Sequence, residues 1–487
     1  MIAKATALHI ANRLQVGPAP GDPAHIASTG FEEWLDRQLH PQPSQLPESV
    51  ASVLRSLPSF GKDCGTLYAD YSVKAQAPDP KALPREQKKE LKRGERRVWR
   101  EAQIARLVRA VGSPWQLQEA LVEFWFNHFN VYGKKGLIKI WVGAYEDQAI
   151  RPHTLGRFSD LLLATAKHPA MLIYLDNSRN SAPAPEGASS GMGTARRPKG
   201  KARGINENYA REVMELHTLG VDGGYTQADV VSLAHILTGW TVGRGGDMDS
   251  ATAINAYNDK GAFRFAPRRH DSSPETLLGR TFSGGDEREG EAALLMLASH
   301  PATAHHISFQ LAQYFVADQP DTALVDAMTR TFRATNGDLR AVVRTMATHE
   351  EFLAPTNFGA KFKTPYRYVV SAARATGTAP FSVEPLNAVL EDLGQRTYGC
   401  VSPDGYACTQ SAWLDPNGLL QRLSFAMRLG AGEYRPVTGA NFEPVNPAPL
   451  REMLEPVLSA ATLSALAQIP REKQAGAILG SPEFMRC

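Results

Sequence analysis

The sequence predicts an all-α protein, a single extended multi-helical body with long loops and little or no β-sheet. Three observations carry that expectation. Apolar residues recur at helical spacing through most of the 487 residues. Regular apolar–polar alternation over strand lengths is scarce. Helix-start signals, a capping side chain followed by a residue that reaches back to it, recur along the chain.

Taken in order, the first 23 residues hold a lysine but no long apolar core, no small-residue cleavage site and no twin-arginine pair. They read as mature protein, so the default location is cytoplasmic, with a periplasmic or co-exported protein as the alternative. Residues 76–105 include PREQKKELKRGERRVWRE, a mixed-sign run. It reads as a solvated helix laced by i,i+4 pairs, because Glu86, Glu90 and Glu95 interrupt what would otherwise be a polyanion-binding patch.

Ser113, Pro114 and Gln116 spell an N-cap, a first-turn proline and a capping-box partner, opening a helix to about Asn130. Its apolar face carries Leu117, Leu121, Phe124 and Trp125, with His128 among them, while Glu119, Glu123 and Asn130 line a polar stripe. Residues 178–204 are rich in Ser, Ala, Gly and Pro and lack apolar periodicity, which predicts a mobile loop: a lid over the neighbouring helical motif, or a plain surface insertion.

At 100° per residue, Asn206–Gly220 places Tyr209, Ala210, Val213, Met214 and Leu216 on one face with His217 in its middle. Glu207, Asn208, Arg211, Glu212 and Glu215 occupy the other, where Glu207–Arg211 and Arg211–Glu215 form an i,i+4 charge ladder. GVDGGY at 220–225 reads as a helix C-cap and turn. Thr226 and Asp229 form a second capping box, for a helix ending near Gly239-Trp240, and Ser299-His300-Pro301 opens a third helix.

Two histidines, His128 and His217, thus point inward from different helices. A buried imidazole left without partners costs about 1–3 kcal/mol, so each needs a reason to be there. His270, beside Asp271 in a loop, is a third candidate. Together they suggest an acid–base site, or a divalent-metal site held by His128, His217, His270 and Glu212, with Arg211 holding an anionic group. The alternative is that each histidine is a structural hydrogen-bonder. Metal spacings are poor: HExxH is absent, Glu212–Glu215 lacks the Glu-x-x-His pattern of bundle di-iron sites, and His305 and His306 diverge on a helix. No nucleophile elbow, phosphate-binding loop or dinucleotide fingerprint stands in a convincing context.

Hydrophobic content of 43% and charged content of 21% are those of a soluble globular protein. The net charge of +3, from 53 basic and 50 acidic residues, argues against a protein built to bind nucleic acid. No run of 18 apolar residues predicts a transmembrane helix. Four cysteines are too few for a disulfide scaffold; Cys400 and Cys408 flank a turn-like loop, as a local disulfide or as two reduced thiols.

FWFNHF (124–129), NENYAREVMELHTLGVDGGYTQADV (206–230), LTGW (237–240), the HD of RRHD (270–271), KFKTPYRYVVSAARATG (361–377) and PDGYACTQSAWL (403–414) together closely resemble the bacterial domain-of-unknown-function family 1800. The resemblance spans residues 1–487 as one family unit. It implies a predominantly helical protein and carries over neither an activity nor catalytic residues. Members are often encoded beside family 1501, which is similar to sulfatases and alkaline phosphatases, so the resemblance implies a sulfatase-like protein partner. Two functions stand as expectations: an enzyme with a His/Asp/Glu site between its central helices, or a non-catalytic helical adaptor or maturation partner of that exported protein.

Overall fold

Helical periodicity becomes helix along almost every predicted stretch. The computed structural model describes residues 2–42, 44–76, 82–183, 204–243, 262–377, 383–434 and 443–487. Among them helices run from Lys4–Leu14 to Arg471–Leu479, and strand is confined to two short antiparallel hairpins. One pairs Trp240 with Phe265 and Val242 with Phe263; the other pairs Glu275 with Phe282 and Leu277 with Arg280. The second turns on Leu278 and Gly279, both at positive φ (48° and 77°), as a two-residue hairpin turn requires. Leu278 tolerates that backbone because its N–H donates to Asp229 Oδ1 at 2.7 Å. No described helix is long and apolar enough to cross a membrane.

The chain packs as two units, each discontinuous in sequence: residues 1–60, 100–130 and 307–487, and residues 61–99 and 131–306. In the first, the helix Gln116–His128 is buried on nearly every side. It starts later than its sequence signal. Ser113 Oγ accepts the Trp115 N–H, and Gln116 Nε2 reaches back to the Ser113 carbonyl instead of its N–H, so a pre-helical turn replaces the expected capping box. The same unit crosses the helices Pro416–Gly430 and Arg471–Leu479 so closely that a Cβ on Gly430 would lie 2.4 Å from Gly476 N.

The second unit holds the helix Gln227–Ile236, where the predicted capping box forms: Thr226 Oγ1 accepts the Asp229 N–H and Asp229 Oδ2 accepts the Thr226 N–H. The charged run becomes the exposed start of a 28-residue helix, Arg85–Gly112, with pairs such as Arg93–Glu90 at 3.0 Å. The predicted lid, residues 178–204, lies outside the described residues over 184–203. Cys400 and Cys408 are free thiols, donating to Ser402 O and Gln313 Oε1.

One predicted helix changes character. Asn208–Glu212 is α-helical, but Val213–His217 is a π-helix closed by Thr218 Oγ1 donating to Val213 O at 2.6 Å. The wider turn breaks the 100° register, and among the described residues Arg211 pairs with Glu207 but not with Glu215. A Cβ on Gly220, at φ +84°, would lie 2.8 Å from His306 Nδ1, so the turn after this helix requires glycine.

Each unit keeps a neutral histidine inside. Burial, with Arg13 beside it, pushes His9 down to about 3, while its Nε2–H donates to Phe352 O at 2.8 Å. Burial alone does the same to His168, whose Nδ1 accepts the Ala170 N–H at a helix start. Unfolded imidazoles take up protons below pH ~6.5 that these two refuse, so stability falls as pH drops through that value, by up to about 1.4 kcal/mol per pH unit for each. His168→Asn keeps a capping acceptor and cannot titrate. Its melting temperature is expected to fall less than the wild type's between pH 7 and 5; an unchanged pH slope would mean that His168 is not held neutral.

Candidate functional site

The predicted Asp271 finds its partner on the helix that the Thr226 box opens. His235 sits in the last turn of Gln227–Ile236, and its Nδ1–H donates to Asp271 Oδ2 at 2.6 Å. Glu275 Oε1, from the second hairpin, lies 3.5 Å from the same nitrogen. His235 and Asp271 are 20% and 12% exposed, enough for a reactant to reach them and little enough to order them.

Thr238 fixes the geometry. Its hydroxyl donates to His235 O at 2.6 Å and accepts the Asp271 N–H at 2.7 Å, so one side chain joins the helix end to the loop. Gly239, at φ +80°, lets that loop close in, since a Cβ there would lie 2.8 Å from Ala266 O. Burial pushes the Asp271 carboxyl up, but the Ser273 N–H and His235 outweigh it and hold it below its ordinary value. Asp271 is therefore an anion that orients one tautomer of His235, with hydrogen on Nδ1 and the lone pair on Nε2. Such a pair can accept a proton at Nε2 and stabilise the imidazolium that results.

His270 is adjacent but does something else. Its Nδ1–H donates to Thr238 O at 3.0 Å, and its buried Nε2 lies 3.7 Å from Glu289 Oε2, beyond hydrogen-bond reach. Glu289 in turn accepts the Gly284 N–H through Oε1 at 2.8 Å. This arrangement supports the loop that carries Asp271.

The other predicted residues have partners of their own. Arg211 donates to Glu207 Oε2 and Gln227 Oε1, both at 3.0 Å, a half-exposed clamp onto the start of the His235 helix. Glu212 ends the α-helical part of its element, half-buried. His217 is 1% exposed at the end of the π segment. His128 lies in the first unit, packed against Phe124, Trp125 and Phe129, with Gln310 Oε1 2.6 Å from its Nδ1. Among the described residues no group of three or more His, Cys, Asp or Glu side chains is placed to hold a metal ion.

Sequence reasoning missed His235, Thr238 and Glu275. Helical spacing from the Thr226 cap could have placed His235 in a last turn, but its partner lies 36 residues further on, a distance that no local pattern encodes.

The family described as Protein of unknown function (DUF1800) is matched over residues 9–486. No curated protein and no solved structure matches the chain. The chain belongs to that family.

Proposed function

We propose that this member of the family is an enzyme whose general base is His235, oriented and charge-compensated by Asp271. The observation that carries the reading is the 2.6 Å Nδ1–Asp271 contact on a partly exposed imidazole, with Thr238 tying the His235 and Asp271 backbones together. Glu275 beside the same nitrogen adds a second carboxylate to stabilise the charged ring. The acid–base form is the one this contact supports, because Asp271 takes the Nδ1–H and leaves Nε2 as the basic nitrogen.

The test is a panel of carboxylic, phosphate and sulfate esters and amides, with His235→Gln as the control. Turnover of any class should fall about 10²–10⁴-fold in the variant, the usual contribution of a positioned acid–base group. Wild-type turnover in a folded His235→Gln protein would remove His235 from the chemistry.

A second reading, an adaptor for a sulfatase-like partner, draws on one surface. Leu420, Leu423 and Met427 stand exposed at i, i+3, i+7 on the helix Pro416–Gly430 (64%, 45% and 41%). Co-purification with a family-1501 protein that is lost in Leu420→Asp would favour it; co-purification unaffected by that change would remove the surface from consideration.

A further inference from the structure

The charged start of the helix Arg85–Gly112 sorts its charges in space in a way that the order of residues hides. Over residues 85–96, wholly within the second unit, cations and carboxylates take different sides. At 100° per residue, Arg85, Lys89, Lys92, Arg93 and Arg96 fall within an arc of about 100° and span about 16 Å of helix axis. All five are exposed. The same segment turns Val98 and Trp99, 3% and 8% exposed, toward the interior.

The glutamates that interrupt the run in sequence lie off this arc. Glu86 and Glu90 stand along one border, 4.0 Å from Lys89 and 3.0 Å from Arg93. Such exposed pairs hold their partners weakly. Glu95 lies beyond the other border and is turned into the protein. Its Oε1 accepts the Val73 N–H at 3.3 Å, and its Oε2 lies 4.0 Å from Lys139 Nζ, which adds a further cation on that side. Among the described residues no carboxylate forms an ion pair with Arg85, Lys92 or Arg96.

A line of cations without apolar neighbours gains only from opposite charge, so its partner is a polyanion. The five positions form a convex ridge and include no aromatic side chain, so they offer no platform for stacked bases and no groove to track a strand. A flat layer of acidic headgroups needs neither. A cluster of about 4–8 Lys and Arg on one helix is what such a layer holds.

We propose that this ridge docks the protein on an anionic phospholipid surface, with the start of the helix lying along the headgroups. The contact is electrostatic and peripheral. It uses no residue of the histidine site and stands apart from the reading of that site.

The test mixes the full chain with vesicles of equimolar phosphatidylcholine and phosphatidylserine, and with vesicles of phosphatidylcholine alone, and reads the bound fraction by sedimentation. Binding is expected to the mixed vesicles only, and it should weaken as salt is raised, because exposed charges are screened within about 10 Å at 0.1 M salt. Lys92→Gln combined with Arg96→Gln should weaken it about 20–30-fold, at about fivefold for each cation removed. Glutamine is a good helix former, so the ridge keeps its backbone. Arg280→Gln combined with Arg288→Gln removes the same charge from exposed positions of the same unit and should change binding less than about threefold. The proposal is overturned if phosphatidylcholine vesicles bind as well as the mixed ones, if the Arg280 and Arg288 changes cost as much as those at Lys92 and Arg96, or if neither vesicle binds. A duplex RNA oligonucleotide forms the last arm. If it binds more tightly than the mixed vesicles and loses that affinity in the Lys92 and Arg96 variant, the ridge is a nucleic-acid surface and the lipid proposal falls. The two wild-type vesicle titrations decide the matter even where a variant fails to fold.

Discussion

Asp271→Asn is expected to lower turnover about 10²–10⁴-fold while leaving the protein folded. The isosteric amide keeps an oxygen to accept the Ser273 N–H, which Asp271 Oδ1 now accepts at 3.0 Å. Facing His235 it then presents an NH₂ group, which makes Nδ1 an acceptor and moves the ring hydrogen to Nε2. The lone pair that would take a substrate proton disappears, and so does the charge that stabilises imidazolium. The measurement is kcat for any substrate class found active, beside a melt. A variant with the wild-type rate would show that Asp271 does not set the tautomer. The same variant carries a pH signature. A carboxyl held below its ordinary value stabilises the fold above the unfolded pKa, and that contribution is lost as pH falls through the folded one. The wild type's stability advantage over Asp271→Asn should thus be present at neutral pH and vanish in acid.

Gly430→Ala is expected to destabilise the first unit by about 2–4 kcal/mol, the upper range for overpacking. The new Cβ would lie 2.4 Å from Gly476 N and 2.7 Å from its Cα, backbone atoms that no rotamer change can move aside. Either two helices separate or the turn distorts. The control is Gly94, in the exposed half of Arg85–Gly112, where the nearest atom to a new Cβ is a Tyr71 ring carbon at 4.0 Å. There, alanine should stabilise by about 0.5–1 kcal/mol through helix propensity. Urea unfolding separates the two outcomes, and a Gly430→Ala protein as stable as the wild type would mean that the helices do not cross at that distance.

Local chemistry was legible in the sequence. The Thr226–Asp229 box formed because both partners lie within one turn, and Asp229 keeps Oδ2 for Thr226 while its Oδ1 accepts the Leu278 N–H. The helix after Ser113 was legible but its start was not, since Gln116 found the Ser113 and Ala110 carbonyls instead of an N–H. The burial of His128 followed from helical angle alone, while His217 is buried at the end of a π segment that the 100° spacing did not anticipate. Their partners did not follow from spacing: Gln310 lies 182 residues from His128. The dyad was half legible. Asp271 stood out beside His270, but the histidine that binds it was the one three residues before Thr238, which reads as an ordinary last-turn residue. Pairings made across a chain reversal leave no periodicity to detect, and the π turn broke the one periodicity that was assumed.

That π turn also fixes how the motif bears insertions and deletions. A segment with i→i+5 bonds holds one residue more than the α-turn it replaces. Deleting a single residue within Val213–His217 would therefore restore an α-turn and leave the residues before it facing the same way relative to those after. Tyr209 and Ala210, now 1% exposed, would stay in the core. The wide turn thus stores one spare residue: the motif can lose it without turning its faces, whereas a strand that lost one would turn every side chain over.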